Sequence, residues 1–245
     1  MKVLIIIPAY NEADNIENVV DNIRNNFPQY DYVVINDGSK DNTRDICKKR
    51  RYQYLNLSIN LGIGGAVQTG YKYAKDKNYD VAVQIDGDGQ HDISYLADML
   101  PMLESGEADI VIGSRFIEKE GFQSSVVRRI GIRILSFLIY MCTGCKIKDV
   151  TSGFRAVNKD YIKIYADSYP NDYPEPEAIV AAVMHGGSVK EFPVVMKERA
   201  GGTSSINFVK SIYYMIKVTL AIIVCRIGFG IRRDPTVIRK LKERR

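Results

Sequence analysis

Cysteine and histidine are scarce in this sequence, which has four cysteines and two histidines in 245 residues. Four cysteines do not make a disulfide framework in a chain of this length, so a small disulfide-stapled fold is excluded. Cys142 and Cys145 form one CxxC pair, but no second pair and no nearby histidine completes a zinc site. The pattern therefore argues against a structural zinc or a dithiol redox centre.

A signal peptide and a long uncharged hydrophobic run are also missing. The N-terminal run KVLIII is short and ends at Pro8, so we expect a cytoplasmic protein. Residues 126–141 and 206–231 are strongly apolar, but Lys217 falls in the middle of the second stretch, whereas a spanning helix needs ~20 residues with few charges. We predict that both lie in the membrane interface, on the inner face of the cell membrane. The alternative is two helices buried against the core or against a second copy in a homo-oligomer.

The positive charge is concentrated at the C-terminus. The net charge is +5, and the stretch from Arg226 to Arg245 alone holds eight Lys and Arg against Asp234 and Glu243, a balance of +6. Such a tail predicts contact with an anionic membrane surface. Nucleic acid is not expected as a partner, because no platform of aromatic and basic residues accompanies the tail.

Short β-branched runs alternate with amphipathic stretches along the first half of the chain. This alternation is typical of an α/β fold whose mostly parallel sheet carries helices on both faces. We predict one domain over residues 1–205, followed by an amphipathic helix and basic tail over 206–245. The predicted strands are residues 2–7, 32–35, 53–57, 81–85 and 109–112, and the predicted helices are 12–26, 41–51, 64–77 and 93–104.

Unusual polar motifs follow four of these strands: PAYNE, NDGS, DGDGQH and GSR. Ligands of open α/β sheets bind beyond the carboxyl ends of the strands, so the motifs are expected to meet at one site.

Asp86 and Asp88 stand one residue apart in the third motif. A calcium loop of the EF-hand type is excluded, because its sixth and twelfth positions would be His91 and Ala97. A plain Asp-Gly turn is one reading. A Mg²⁺ or Mn²⁺ ion that bridges the carboxylates to substrate phosphates is the other, and we favour it.

Six motifs taken in order carry a family resemblance: PAYNE (8–12), NDGS (36–39), NLGIGGAVQTGY (60–71), DGDGQH (86–91), GSR (113–115) and TSGFR (151–155). Over residues 3–205 the chain resembles glycosyltransferase family 2, most of all its dolichyl-phosphate mannose synthases and bacterial polyprenyl-phosphate glycosyltransferases. The resemblance implies a GT-A fold, a UDP- or GDP-sugar donor, a divalent cation and inversion at the anomeric carbon.

The same resemblance assigns the donor-binding residues. Asp88 would be the main cation ligand and a catalytic residue, with Asp86 and Gln90 beside it. The nucleotide-sugar would be held by Pro8, Tyr10, Glu12, Asp37, Gly64 and Asp86.

Arginines near the start of the apolar stretch 126–141 predict the acceptor site. Guanidinium groups match phosphate geometry, so Arg115 with Arg128 or Arg129 would hold a polyprenyl phosphate. The oxygen of such a phosphate is already anionic and needs no general base. By resemblance, Arg199 would reach donor or acceptor phosphates from a loop that closes over the substrate.

The stretch YPEPE (173–177) keeps a second acceptor open. A glycan or glycolipid hydroxyl must lose a proton, and Glu175 or Glu177 would serve as its base. Glu177 would equally suit the start of a helix, where a carboxylate meets the positive end of the dipole. The remaining interpretation is a non-catalytic scaffold that binds nucleotide-sugar. Such a scaffold could lose the acidic pair and the phosphate-binding arginines, but this sequence has all of them.

Overall fold

The computed structural model describes residues 1–118, 120–121, 125–172, 174–197 and 208–231, and in the last range the side chains of 214–228. The predicted loop arginine, Arg199, and the predicted boundary at residue 205 lie outside the described residues.

A seven-stranded sheet with the order β3-β2-β1-β4-β6-β5-β7 forms the centre of the molecule. Six strands are mutually parallel and β6 runs antiparallel to its neighbours β4 and β5. All five predicted strands are present, whereas β6 and β7 were not predicted. The strands are β1 (Val3–Ala9), β2 (Asp31–Asn36), β3 (Tyr54–Asn56), β4 (Val81–Gln84), β5 (Ile110–Ser114), β6 (Arg155–Asn158) and β7 (Val189–Pro193).

Eight α-helices connect or flank the strands in the described part of the chain. They are α1 (Ile16–Asn26), α2 (Thr43–Lys49), α3 (Gly62–Asp76), α4 (Leu96–Glu104), α5 (Val126–Thr143), α6 (Lys159–Asp167), α7 (Pro174–Met184) and α8 (Phe208–Ile231). The four predicted helices of the first half are confirmed, with α1 starting four residues later than predicted. A turn precedes it, in which Asn11 adopts a positive φ of 56°.

The apolar run of β1 shows why the sheet is covered on both faces. Leu4 and Ile6 pack into a cluster that also contains residues of α3 and α5–α8. Ile5 and Ile7 point the other way, into a cluster with α1, α2 and α4. Side chains alternate across a strand, so a continuous apolar run is required when both faces are buried.

Helices α5 and α8 pack against each other on one flank of the sheet. The α5 helix begins at Ser125, whose hydroxyl accepts the backbone N–H of Arg128, and ends at Gly144 with a φ of +73°. Lys217 of α8 donates to Asp172 at 2.6 Å, just before α7. Within the described residues, none of the helices has the length and apolarity needed to cross a membrane.

Candidate active site

A cleft of about 390 Å³ opens at the carboxyl ends of β1, β2 and β4. These three strands are neighbours in the sheet, so the motifs that follow them meet. The first turn of α3 closes one side of the cleft. The lining residues are Pro8, Ala9, Tyr10, Glu12, Asp37, Asn60, Gly62, Ile63, Ala66, Asp86, Gly87 and Asp88.

Asp37 is anchored by backbone groups at the base of the cleft. Its backbone N–H donates to the carbonyl of Ala9 at 2.9 Å, and its Oδ1 accepts the N–H of Leu61 at 2.7 Å. Burial raises the pKa of the Asp37 carboxyl, and the N–H groups of Leu61 and Gly62 partly offset this. The carboxyl is therefore held in a fixed position at the start of α3.

His91 organises the loop that carries the acidic pair. Its Nδ1 accepts the backbone N–H of Asp86 at 3.0 Å, so the ring proton belongs on Nε2, which lies 3.6 Å from Asp86 Oδ2. The ring stacks on Phe154 with centroids 5.3 Å apart. Both contacts fix the direction in which the loop presents Asp86.

Asp88 sits in a tight turn of the same loop. Its Oδ1 accepts the N–H of Gln90 at 3.1 Å, and Gly89 between them has a φ of +78°, a conformation that favours glycine. Two hydrogen bonds join Gln90 to Lys197. The side-chain amide of Gln90 donates to the backbone carbonyl of Lys197 at 3.2 Å, and the backbone carbonyl of Gln90 accepts the Lys197 N–H at 3.0 Å.

The antiparallel strand β6 brings a further element to the acidic pair. Its first residue, Arg155, pairs with Gln84 at the end of β4, so the preceding TSGF segment lies beside Asp86. A Cβ added at Gly153 would lie 2.6 Å from Asp86 Oδ1. Gly153 therefore provides the space that the carboxylate occupies, a role that sequence reasoning missed.

The donor set of Asp86 and Asp88 fits a divalent cation. Both line the cleft, Asp86 with a side chain that is 40% exposed. No group of three or more potential His, Cys, Asp or Glu ligands occurs within the described residues, so phosphate oxygens or water would supply the remaining ligands. Carboxylate oxygens are ligands that Mg²⁺ and Mn²⁺ prefer, and a site that leaves coordination positions open would allow either ion to bind together with a phosphate.

Arg115 is engaged by a carboxylate of the protein itself. It is 6% exposed, and its Nε and one terminal nitrogen donate to the two oxygens of Asp149 at 2.7 and 2.6 Å. The backbone N–H of Arg115 also donates to Asp149, at 3.1 Å. This bidentate pairing orients Arg115, and Asp86 also acts electrostatically on its guanidinium. The role of Arg115 in holding the acceptor phosphate stays a prediction.

Arg128 lies within the electrostatic influence of Arg115, Asp149 and Asp86. Much of Arg128 is open to solvent, yet burial of the guanidinium and the positive charge of Arg115 lower its pKa, while Asp149 and Asp86 act in the opposite direction. The backbone of Arg129 only continues the helix from Ser125.

Of the two candidate bases, Glu175 is the one that shares the environment of Asp86. Burial raises the pKa of its carboxyl, Arg155 and Arg128 lower it, and Asp86 raises it further. Arg155 also holds the start of α7, donating to the Glu175 carbonyl at 2.7 Å. Glu177 instead lines a separate cavity of about 210 Å³ with Lys217 of α8.

Gly64 has a packing role. A Cβ at this position would collide with the carbonyl oxygen of Pro170, and the Gly64 N–H donates to the Asn171 carbonyl at 3.1 Å. The predicted contact of Gly64 with the nucleotide-sugar stays a prediction. Gly62 and Ile63 of the same motif line the cleft.

Comparison with known protein families matches residues 4–165 to the family described as glycosyl transferase family 2. The chain belongs to glycosyl transferase family 2. The prediction that it is a glycosyltransferase is thereby confirmed.

Two relatives are about equally similar to this family member. A UDP-N-acetylglucosamine–dolichyl-phosphate N-acetylglucosaminyltransferase of Methanococcus voltae is 31% identical over 213 residues, covering 78% of this chain and 84% of the relative. An undecaprenyl-phosphate mannosyltransferase of Micrococcus luteus is 31% identical over 216 residues, covering 84% and 88%.

Solved structures of glycosyltransferases share the fold. Mannosyl-3-phosphoglycerate synthase of Rubrobacter xylanophilus matches with a TM-score of 0.71 and 18% identity over 96% of this chain and 78% of that one. Glucosyl-3-phosphoglycerate synthase of Mycobacterium tuberculosis, in complex with Mn²⁺, UDP-glucose and phosphoglyceric acid, matches with a TM-score of 0.68 and 18% identity over 93% and 80%. The likeness shows the predicted GT-A fold.

Proposed function

We propose that this family member transfers a sugar from a nucleotide-sugar to the phosphate of a polyprenyl phosphate. The names of the Methanococcus and Micrococcus relatives, each similar over most of its length, support a polyprenyl-phosphate acceptor. The observation that carries the proposal is the position of Arg128. It lies at the start of α5, in the electrostatic environment of Asp86, and so supplies a cation next to the site where the donor diphosphate would be bound.

The cleft supports a donor orientation with the nucleoside away from the acidic pair. Pro8, Tyr10, Glu12 and Asp37 would hold the base and ribose, and the diphosphate would lie against Asp86 and Asp88. A Mg²⁺ or Mn²⁺ ion bound there would neutralise charge on the leaving diphosphate. The Mycobacterium enzyme with bound Mn²⁺ and UDP-glucose supports use of a divalent cation in this fold.

On the acceptor side, the residues of this chain bind and orient a group that is already anionic. The Arg128 guanidinium would hold the acceptor phosphate beside the sugar, so that one phosphate oxygen attacks the anomeric carbon. The bond from that carbon to the nucleoside diphosphate breaks as the new bond forms, which inverts the configuration. No side chain has to take a proton in this step.

A second acceptor class is favoured by one observation, the raised pKa of Glu175 beside Asp86. A carboxyl with a raised pKa is a better proton acceptor, as a general base for a sugar hydroxyl requires. We therefore favour Glu175 as the base for a glycan or glycolipid acceptor over Glu177, which lines the other cavity.

Transfer of label into an organic phase tests the proposal. The protein is incubated with labelled UDP- and GDP-sugars, Mn²⁺ and undecaprenyl phosphate, and the lipid fraction is counted with and without EDTA. Label that enters the lipid and is lost with EDTA is the expected result. Donor binding that needs Mn²⁺, without transfer to the lipid phosphate, would overturn the lipid acceptor and favour a hydroxyl with Glu175 as base. Donor binding without transfer to any acceptor would favour a scaffold.

A further inference from the structure

Arg155, the first residue of β6, occupies a buried position in the middle of the sheet. Its neighbours in register are Gln84 at the end of β4 and Ile112 in β5. Side chains alternate across a strand, and Val157, two residues further on, packs into the cluster that contains α3 and α5–α8. The Arg155 side chain therefore points to that face, and the residue is only 3% exposed. A buried cation is costly unless its hydrogen-bonding groups find partners.

The guanidinium of Arg155 binds three backbone carbonyls from two separate segments. Nε donates to the Ser152 carbonyl at 2.8 Å and Nη2 to the Val150 carbonyl at 3.1 Å, both in the loop before β6. Nη1 donates to the Glu175 carbonyl at 2.7 Å, at the start of α7. Arginine has five N–H donors in a rigid fork, which allows one side chain to span several acceptors. Arg155 therefore joins the loop 150–153 to the start of α7.

Both segments that Arg155 joins lie close to the acidic pair. In the loop, Gly153 is so near to Asp86 that an added Cβ would lie 2.6 Å from the carboxylate Oδ1. At the start of α7, the carboxyl of Glu175 has its pKa raised by burial, lowered by Arg155 and raised by Asp86. A displacement of either segment would thus change the surroundings of Asp86.

Three tyrosine rings pack together in the electrostatic environment of Arg155. Tyr71 lies 5.2 Å from Tyr165 and 5.3 Å from Tyr169, measured between ring centroids. Burial raises the pKa of all three phenols, and the positive charge of Arg155 opposes this. Closely packed rings transmit strain and leave little room for rearrangement, so the guanidinium is expected to keep its three carbonyls in one arrangement.

We propose that Arg155 is a positioning residue for the cation site. By fixing the loop 150–153, it holds Gly153 against Asp86, so that this carboxylate keeps the orientation in which it lines the cleft. The bond from Arg155 to the Glu175 carbonyl ties the same loop to α7. The inference rests on the proposed function only where that function places Mg²⁺ or Mn²⁺ at the acidic pair.

Binding of Mn²⁺ to the full chain, in the presence of UDP and separately of GDP, tests this role without a transfer reaction. Free Mn²⁺ is measured by its electron paramagnetic resonance signal. Arg155→Lys keeps the charge but not the fork, and the dissociation constant for Mn²⁺ is expected to rise about 10–100-fold, the usual cost of losing a group that orients a metal ligand. Tyr161→Phe is the matched control, because it removes a buried hydrogen bond to the Ala182 carbonyl near the other end of α7. Mn²⁺ binding by the control is expected to be unchanged.

Hydrogen exchange tests whether both segments depend on Arg155. In Arg155→Lys, the amide groups of residues 150–156 and those of residues 175–181 are expected to exchange faster than in the unaltered chain. Faster exchange in only one of these ranges would overturn the proposed link between the loop and α7.

Unchanged Mn²⁺ binding in Arg155→Lys, or an equal loss in Tyr161→Phe, would overturn the positioning role. If thermal melting shows that Arg155→Lys does not fold, Ser152→Ala provides the test in the same loop, because the Ser152 hydroxyl accepts the Phe154 N–H at 3.2 Å. Unchanged Mn²⁺ binding in Ser152→Ala would then overturn the proposal.

The same measurements separate this inference from the proposed function. Absence of Mn²⁺ binding by the unaltered chain would overturn the cation site and the role of Arg155 together. The expected loss of Mn²⁺ binding in Arg155→Lys, without transfer of sugar to polyprenyl phosphate by the unaltered chain, would support the role of Arg155 and contradict the proposed acceptor alone.

Discussion

The cleft proposed to bind the donor (the donor cleft) and the flank formed by α5 and α8 differ in how their side chains are held. In the cleft, backbone groups hold functional side chains in place, as the N–H of Gln90 holds Asp88 and the N–H of Leu61 holds Asp37. On the flank, apolar side chains are exposed without polar partners and only their inner faces are fixed. The cleft is thus preorganised for one ligand geometry, whereas the exposed apolar side chains of α5 and α8 are free to change rotamer. The variants below probe this contrast, from the largest expected effect to the smallest.

Asp149→Asn is expected to cause the largest loss, because the buried Arg115 guanidinium loses the carboxylate that it binds with two hydrogen bonds. Breaking a buried ion pair from one side costs about 3–5 kcal/mol. Urea unfolding measures the change in free energy. Glu107→Gln is the control, since its pair with Lys190 is about half exposed on both sides and is worth at most about 1 kcal/mol. Equal effects of the two variants would contradict a structural role for the Arg115–Asp149 pair.

Asp88→Asn removes the negative charge that would hold the cation. Turnover is expected to fall about 10²–10³-fold, the range seen when one group that stabilises transition-state charge is lost, with unfolding unchanged. Initial rates at saturating Mn²⁺ measure it. Asp98→Asn, an exposed position on α4, is the matched control. Full activity of Asp88→Asn would remove the cation role.

Gly153→Ala tests the space behind Asp86. The added Cβ would lie 2.6 Å from Asp86 Oδ1 and must displace the carboxylate, so the Mn²⁺ concentration for half-maximal donor binding is expected to rise about 10–100-fold. Gly228→Ala is the control, because a Cβ there has no described atom within 4 Å. Identical Mn²⁺ dependence in both variants would show that Asp86 does not depend on this space.

Arg128→Ala tests whether Arg128 binds the acceptor and not the donor. The KM for polyprenyl phosphate is expected to rise by the equivalent of about 1.5–3 kcal/mol, the worth of a hydrogen bond to a charged group, with donor affinity nearly unchanged. Arg129→Ala, one residue along α5, is expected to have a much smaller effect. If the two variants behave alike, Arg128 is not the phosphate ligand.

Glu177→Gln is expected to have the smallest effect, because Glu177 lines the cavity beside α8 and not the donor cleft. Transfer rates to polyprenyl phosphate should stay within about twofold of the unaltered chain. Glu175→Gln distinguishes the two acceptor classes. The rate of transfer to a lipid phosphate should be unchanged in this variant. The rate of transfer to a hydroxyl acceptor would fall about 10²–10⁴-fold, because the base is lost. Loss of lipid-phosphate transfer in Glu177→Gln would contradict this placement.

The donor cleft was more accessible to sequence reasoning than the rest, because its determinants are local. Each of the motifs PAYNE, NDGS and DGDG follows a strand directly, and the adjacency of β2, β1 and β4 brings them together. The pairing of Arg115 with Asp149 was not predicted, because the two residues are 34 positions apart in the sequence and no local pattern signals their contact. The close packing of Gly64 was missed for a similar reason, since only the fold places the Pro170 carbonyl against it.

Predicting the arrangement of residues on the acceptor side also requires the order of the strands in the sheet. β6 is short, begins with an arginine and runs against its neighbours, so the alternation of strands and helices did not reveal it. Without β6, nothing in the sequence places Gly153 behind Asp86. The apolar stretches of α5 and α8 were predicted separately, but their packing against each other is a property of the fold alone.

The insertion of β6 between β4 and β5 also bears on how the chain folds. Strands β1 to β4 lie together as one hydrogen-bonded unit, complete once residue 84 is present. β5 has only β6 and β7 as strand neighbours, so after synthesis it has no strand to pair with until residues 155–158 emerge. The donor half can therefore assemble early on the ribosome, while β5 stays unpaired for about 40 further residues, an interval of a few seconds at ordinary translation rates.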